Sequence, residues 1–213
     1  MTTVVVIAKE PRPGLAKTRL CPPCSPETAA AIAAAALHDT LVAVAGSECA
    51  AARVLALDGE PGPWLPPGFT IVPQATGDLG ARLAAAVESV TGPVLVVGMD
   101  TPQVTPELLA DACERLRDPE LDAVLGRAID GGYWAIGFRG QRRGAFTGVP
   151  MSTSRTAARQ LDRLRQLGMR VGELPHLLDV DTFVDARAVA AQIPRTSFAR
   201  AVARAVAAAK VAA

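Results

Sequence analysis

Histidine is nearly missing from this sequence: His38 and His176 are the two in 213 residues. That excludes a histidine-rich metal centre and leaves a Ser-His-Asp triad with little support. An excess of one charge is missing too, since 22 lysines and arginines face 21 aspartates and glutamates, for a formal net charge of +1. Such balance offers no electrostatic footprint for nucleic acid or an anionic membrane surface, and neither is expected as a partner. The longest uninterrupted apolar run, residues 29–37, is far shorter than the ~18 residues that span a bilayer. Residues 1–7 lack the basic start of a signal peptide and read as a strand, so a cytoplasmic protein is expected. The four cysteines then have no oxidising reason to pair and are expected as reduced thiols.

Half of the residues are hydrophobic, enough for a full core at this length, and one domain over residues 1–213 is expected. The β-branched run 3–8 predicts a buried strand, followed by a Pro/Gly-containing loop over 9–23. Ser25-Pro26-Glu27 supplies an N-cap, a first-turn proline and an acidic residue, predicting an alanine-rich helix to about Ala45. The pattern continues with strands over 52–57, 69–72 and 94–98 and a helix over 79–90. Thr105-Pro106-Glu107 opens another helix. Strands at 122–125, 133–138 and 170–174, helices at 153–167 and 197–211, and a short helix opened by Thr182-Phe183-Val184-Asp185 complete the reading. This alternation predicts an α/β fold with a mainly parallel sheet covered by helices on both faces.

Five segments carry the residues suited to chemistry. In the loop after the first strand, Lys9, Arg12, Lys17 and Arg19 gather around Pro11, Pro13 and Gly14. Lysine offers a mobile point charge and arginine a forked donor, so Lys17 and Arg19 suit separate phosphates; a solvated basic loop has the same composition. The loop is not a Walker A motif, because Pro11 and Ala16 stand where glycine is required. Gly98-Met99-Asp100 puts a carboxylate where a buried strand emerges, a place that suits a hard divalent ion; a helix-capping or turn aspartate is the alternative, but Thr105 is the better cap. Asp179 and Asp181 flank Val180 at period two and share a face if the segment is extended, so either could complete a metal site or an aspartate-rich turn.

Asp130-Gly131-Gly132 is a strong hairpin signal, and its glycines also permit close approach to a ligand beside Tyr133 and Trp134. Gln74, Gly80 and Arg82 mark a strand-to-helix turn where amide, backbone and basic groups can meet a base or phosphate. Cys21-Pro22-Pro23-Cys24 has redox spacing but follows a long loop and lacks matching ligands, so it is read as incidental.

In order, Ala8-Lys9-Glu10-Pro11, Gly14, Lys17-Thr18-Arg19-Leu20, Gly77-Asp78-Leu79-Gly80-Ala81-Arg82, Gly98-Met99-Asp100-Thr101-Pro102, Asp130-Gly131-Gly132-Tyr133-Trp134 and Asp179-Val180-Asp181-Thr182 resemble one family. It is the bacterial GT-A-like nucleotide-diphospho-sugar transferase family labelled as glycosyltransferases associated with radical-SAM proteins or arsenosugar biosynthesis. More distantly, the set is similar to phospholactate and molybdenum-cofactor guanylyltransferases. The resemblance implies a Rossmann-like GT-A fold with a mixed sheet and the nucleotide over its first half. It implies Asp100 as metal ligand, joined by Asp179 or Asp181, with Mg2+ or Mn2+ as cofactor. Lys17, Arg19 and Asp100 would be catalytic; Lys9, Gly14, Lys17, Arg19, Gln74, Gly80 and Arg82 would bind nucleotide. Asp130, Gly131, Gly132, Tyr133 and Trp134 would lie beside a second substrate. Met151 stands before Ser152-Thr153 where such proteins commonly carry tryptophan, a departure on the acceptor side.

The partners implied are a nucleoside triphosphate or nucleotide sugar and an unidentified small-molecule acceptor. The family label points to glycosyl transfer, whereas the basic Lys17-Thr18-Arg19 loop favours nucleotidyl transfer, because the outer phosphates of a triphosphate need cations. A nucleotide-binding protein without turnover would keep the same fold.

Overall fold

The computed structural model describes residues 1–140 and 142–211. Strands β1 (Thr2–Lys9), β2 (Ala50–Asp58), β3 (Thr70–Pro73), β4 (Val94–Val97), β5 (Ala123–Ala128), β6 (Tyr133–Phe138) and β7 (Val171–Leu177) form one sheet in the order β3-β2-β1-β4-β6-β5-β7. β1 pairs in parallel with β2 and β4, β2 with β3, and β5 with β7, while β6 runs antiparallel between β4 and β5. The sheet is therefore mixed, as the resemblance implied. The Asp130-Gly131 turn supplies the reversal, since β5 and β6 are adjacent antiparallel strands.

Period two along β1 divides the core. Val4, Val6 and Ala8 pack on one face with Leu37, Leu41 and Val44 of α1 (Pro26–Gly46) and Leu109 and Leu116 at α3 (Pro106–Arg115). Val5 points to the other face, with Leu83 and Val87 of α2 (Leu79–Glu88) and Leu161 and Leu164 of α4 (Thr156–Gln166). Strand β4 is buried along its whole length, which is why it reads as the continuous run Val-Leu-Val-Val.

The caps legible in the sequence are made. Ser25 accepts from the Thr28 N–H, Thr105 from Leu108, and Thr182 forms a capping box with Asp185 at the start of α5 (Phe183–Gln192). Asp39 of α1 accepts from the Ser197 and Phe198 N–H groups, fixing the start of α6 (Ser197–Val211). Phe198 and Val202 then pack with Ile32 and Ala36 of α1. By length and composition α1, 21 residues long, is apolar enough to cross a membrane, with a mean hydropathy of 1.6 over an 18-residue window. In this fold its two apolar sides are covered by the sheet and by α6.

Two expectations need correction. Helix α4 begins at Thr156 instead of Thr153, because the Gly131 carbonyl accepts from Ala157 and Thr156 Oγ1 accepts from the Thr153 N–H, which holds the preceding residues in a turn. Cys49 and Cys113 are joined as a disulfide, since packing of α3 beside the start of β2 brings their Cα atoms to 6.2 Å; Cys21 and Cys24 are free.

Candidate active site

All the mutually parallel strands end on one edge of the sheet, and the antiparallel β6 begins there. Lys9, Asp58, Gln74, Asp100, Asp130, Tyr133 and Asp181 lie at or just beyond strand ends on that edge. This is where open α/β sheets bind ligands, because the loops there are free of the sheet's own hydrogen bonding.

The basic loop turns inward at Lys17, whose backbone lies in the left-handed region with φ of 50°. A non-glycine residue holds that conformation only when its surroundings impose it. The Lys17 ammonium stands 2.7 Å from Asp100 Oδ1 and 3.9 Å from Asp181 Oδ1, and it donates to the Val180 carbonyl. Arg19 pairs with Asp181 Oδ2. Asp100 Oδ1 is buried and accepts no hydrogen bond, so its contact with Lys17 is electrostatic. The segment bearing Asp179 and Asp181 is pinned to the β4 end by Val180 N–H donating to Asp100 O at 2.9 Å and Gln103 Nε2 donating to Leu178 O at 2.7 Å. Buried Val180 faces the core while both aspartates border the cavity, in keeping with their period-two spacing.

Two hollows meet at Asp100, Asp181 and Arg19. A cleft of about 310 Å3 lies among Lys9, Leu15, Lys17, Thr18 and Met99. A chamber of about 500 Å3 extends past Thr101, Asp130, Gly132, Tyr133, Ser152 and Asp179. A larger hollow of about 760 Å3 between residues 147–150 and α4 touches none of the predicted site residues.

Two chamber residues are held by hydrogen bonds to their neighbours. Asp130 Oδ1 accepts from the Gly132 N–H at 2.6 Å, which closes the hairpin tip. Burial raises the Tyr133 phenol pKa, and its hydroxyl donates to Gln160 Oε1 at 3.4 Å. Asp179 is pushed up to about 6, first by desolvation, then by the Asp130 and Asp181 carboxylates. Ser152, Thr153 and Ser154 line the same chamber. They follow Met151, so the departure noted in the sequence falls on this wall, although none of the three hydroxyls is among the candidate site residues of the sequence.

Several predicted residues are engaged within the protein. Gln74 Nε2 donates to Ala8 O at 2.7 Å and to Ala56 O at 3.0 Å, tying β3 to the ends of β1 and β2. Arg82 donates to Gly77 O and pairs with Asp58 at 3.0 Å. Gly80, buried at the start of α2, has Met151 Cε 3.4 Å from where a Cβ would stand. Gly14 gives its loop φ of 76° with open space around it.

Gly131 and Trp134 stand differently toward the chamber, which Trp134 borders. Gly131 does not border the chamber: φ is 94°, and a Cβ would collide with the Ser154 backbone. Trp134 is buried, donates through its indole to Pro175 O at 2.9 Å, and lies against Gly126, so it acts mainly as a wall. Among the described residues no group of three or more His, Cys, Asp or Glu side chains is placed to hold one ion. Asp100 and Asp181 meet around Lys17, while Asp179 faces the chamber with Asp130.

A family model described as an uncharacterized protein conserved in bacteria (DUF2064) matches residues 28–153, more than half of the chain. No curated protein matches the chain in sequence. Among solved structures, it is similar to a protein from Desulfovibrio desulfuricans G20 described as a candidate nucleotide-diphospho-sugar transferase. The two are 25% identical over 98% of this chain and 96% of that one, with a TM-score of 0.87. It also resembles the CMP:2-keto-3-deoxy-manno-octonic acid synthetase complexed with CTP, at 14% identity, 91% and 98% coverage and a TM-score of 0.59. The 2-C-methyl-D-erythritol 4-phosphate cytidylyltransferase of Thermus thermophilus is 18% identical, with 96% and 99% coverage and a TM-score of 0.57. The last two likenesses show a shared fold alone; the Rossmann-like α/β sheet as a whole matches that of the Desulfovibrio structure.

Proposed function

The chain belongs to that uncharacterized bacterial family, and from the geometry at its strand ends we propose a nucleotide-dependent transferase that moves a nucleotidyl group from a nucleoside triphosphate to a small acceptor. One observation carries the reading: the Lys17 ammonium, on a loop set by left-handed backbone, held against Asp100 and Asp181 with Arg19 beside it. These are movable cations at the mouth of a cleft, neutralised by carboxylates that a phosphate chain can replace. The names of the similar structures agree with a nucleotide donor.

Asp100 and Asp181 fit a hard divalent ion. Two carboxylates already converge on one positive centre, and the buried Asp100 Oδ1 lacks a hydrogen bond. Magnesium takes one or two protein carboxylates and fills its shell with water and phosphate, so the three-carboxylate set is not required. Asp181 is the better second ligand, because Asp179 faces Asp130. Bound there, Mg2+ or Mn2+ would draw charge from the donor phosphates.

The chain's own groups then divide the work. Lys17 leaves Asp100 for the outer phosphates, and Arg19 turns its fork from Asp181 to the same oxygens. Lys9 and the Gly14 turn border the phosphate path, and Gln74, Gly80 and Arg82 shape the side toward the base. An acceptor hydroxyl in the chamber attacks the α-phosphorus and gives up its proton to solvent, the bond from that phosphorus to the bridging oxygen breaks, and pyrophosphate leaves with the electron pair. Lys17 and Arg19 stabilise that leaving charge, which is the transition-state contribution asked of them. We read residues 1–213 as one such unit, working in the cytoplasm.

Calorimetry with the four nucleoside triphosphates and a set of nucleotide sugars, each with Mg2+ or Mn2+ or with chelator, tests the donor. Metal-dependent binding of a triphosphate is expected, and absence of binding across the panel would sink the reading. Glycosyl transfer is the rival favoured by the description of the Desulfovibrio structure. Product analysis separates the two: pyrophosphate appearing with a nucleotidylated acceptor supports the proposal, and free nucleoside diphosphate with a glycosylated product overturns it.

A further inference from the structure

The two hollows differ in chemistry, and the difference selects an acceptor. Lys9 and Lys17 border the cleft, whereas no lysine borders the chamber among the described residues, and Arg19, at its entrance, is paired with Asp181. The chamber wall beyond that entrance carries Asp130 and Asp179 with the hydroxyls of Thr101, Ser152, Thr153 and Ser154. Thr101 is 2% exposed, borders the chamber, and its Oγ1 has no hydrogen-bond partner. A buried hydroxyl left alone costs free energy, and a ligand hydroxyl or amine at that point would remove the cost.

We propose that the chamber takes a polyhydroxylated acceptor without phosphate or carboxylate, and that a protonated amine on it strengthens binding. The inference rests on the transferase reading for the word acceptor, but its physical content is a charge preference. An anionic substrate would meet Asp130 and Asp179 without a free cation beside them. A polyol satisfies Thr101 and the serine and threonine hydroxyls, each of which donates and accepts. An ammonium group gains from the two carboxylates, Asp130 and Asp179, that line the same chamber. Gly132 N–H holds Asp130 at the hairpin tip and the β4 tether holds the Asp179 segment, so both charges are positioned before a ligand arrives.

Saturation-transfer NMR on the full chain, with glucosamine, glucose and glucose 6-phosphate as probes, reads the preference directly. Glucosamine is expected to bind most tightly, glucose next and the phosphate ester at least tenfold more weakly. Asp130→Asn should weaken glucosamine about three- to tenfold and glucose little, and Thr101→Val should weaken both sugars. Neither variant should change the affinity for a nucleoside triphosphate with Mg2+. Binding of glucose 6-phosphate as tight as that of glucosamine, or no sugar binding by protein that binds the triphosphate, overturns the inference. Sugar binding by protein that binds no nucleotide would overturn the donor reading and leave the chamber's preference standing.

Discussion

The two sides of the strand-end edge solve opposite electrostatic problems. On the basic-loop side the cations nearest Asp100 and Asp181 are matched, Lys17 to Asp100 and Arg19 to Asp181, while farther out Arg12 pairs with Glu10. On the hairpin side Asp130 and Asp179 border one chamber, and burial first, then the Asp130 charge, raises the pKa of Asp179. A region neutralised within itself can exchange partners when a charged ligand arrives, whereas a region left with excess charge waits for its counter-charge. The same contrast holds for the backbone. Gly14 turns in open space, and Gly131 turns against the Ser154 main chain.

Breaking the basic side should have the largest effect. Arg19→Ala is expected to lower the rate of nucleotidyl transfer steeply, by about 2 to 4 kcal/mol of transition-state stabilisation, because the leaving pyrophosphate loses a forked donor. Single-turnover kinetics check this; a raised KM with an unchanged chemical rate would move Arg19 to ground-state binding and favour glycosyl transfer. Next comes the hairpin. Gly131→Ala adds a methyl where the Ser154 carbonyl stands, at φ of 94°, and should destabilise by about 3 kcal/mol or more. Its counterpart Gly14→Ala meets nothing within 4 Å and should cost only the left-handed strain, about 1 kcal/mol. Urea titration of both variants sharpens the contrast, and equal losses would contradict it.

Asp179→Asn tests the excess charge on the chamber side. Its folded pKa, about 6, lies above the ordinary 3.8, so the folded state resists ionisation. Below the ordinary value both folded and unfolded chains carry the proton and nothing is lost. As pH rises toward and past 6 the unfolded state gives the proton up first, and stability falls. The asparagine variant should therefore gain about 1 to 2 kcal/mol over the parent above that range and match it near pH 3. Thermal melts across pH measure this, and a pH-independent difference would assign the effect to packing. The smallest change is expected from replacing Cys21 and Cys24 together by serine, roughly 1 kcal/mol or less. Both thiols are free, and no ion-binding cluster includes them among the described residues. Stoichiometric zinc in the parent protein, or loss of turnover in the double variant, would reverse that expectation.

How much is legible follows from the range of each interaction. Ser25-Pro26, Thr105-Pro106 and Thr182 to Asp185 announce three helix starts because a cap lies within a few residues of the N–H it satisfies. The start of α4 reads as Thr153 in the sequence because the group that sets it, the Gly131 carbonyl, comes from the β5–β6 turn. The Cys49–Cys113 bond is hidden for the same reason: its partners are 64 residues apart and meet only when α3 packs beside β2. Gln74 and Arg82 look like free recognition groups, yet their bonds to Ala8, Ala56 and Asp58 depend on strand neighbours that no local pattern specifies.

The sequence by itself determined the elements, the two-sided burial of the sheet and the kinds of residue at each strand end, because period, capping and turn chemistry act over a few residues. The tertiary structure alone decided that Lys17 stands between Asp100 and Asp181, that Gly131 supports α4, and that Thr101 and Asp130 share a chamber with Asp179. Those relations depend on the order of β1, β4, β5, β6 and β7 in one sheet. That order is fixed by burial of the whole core, a long-range balance that no short stretch of residues contains.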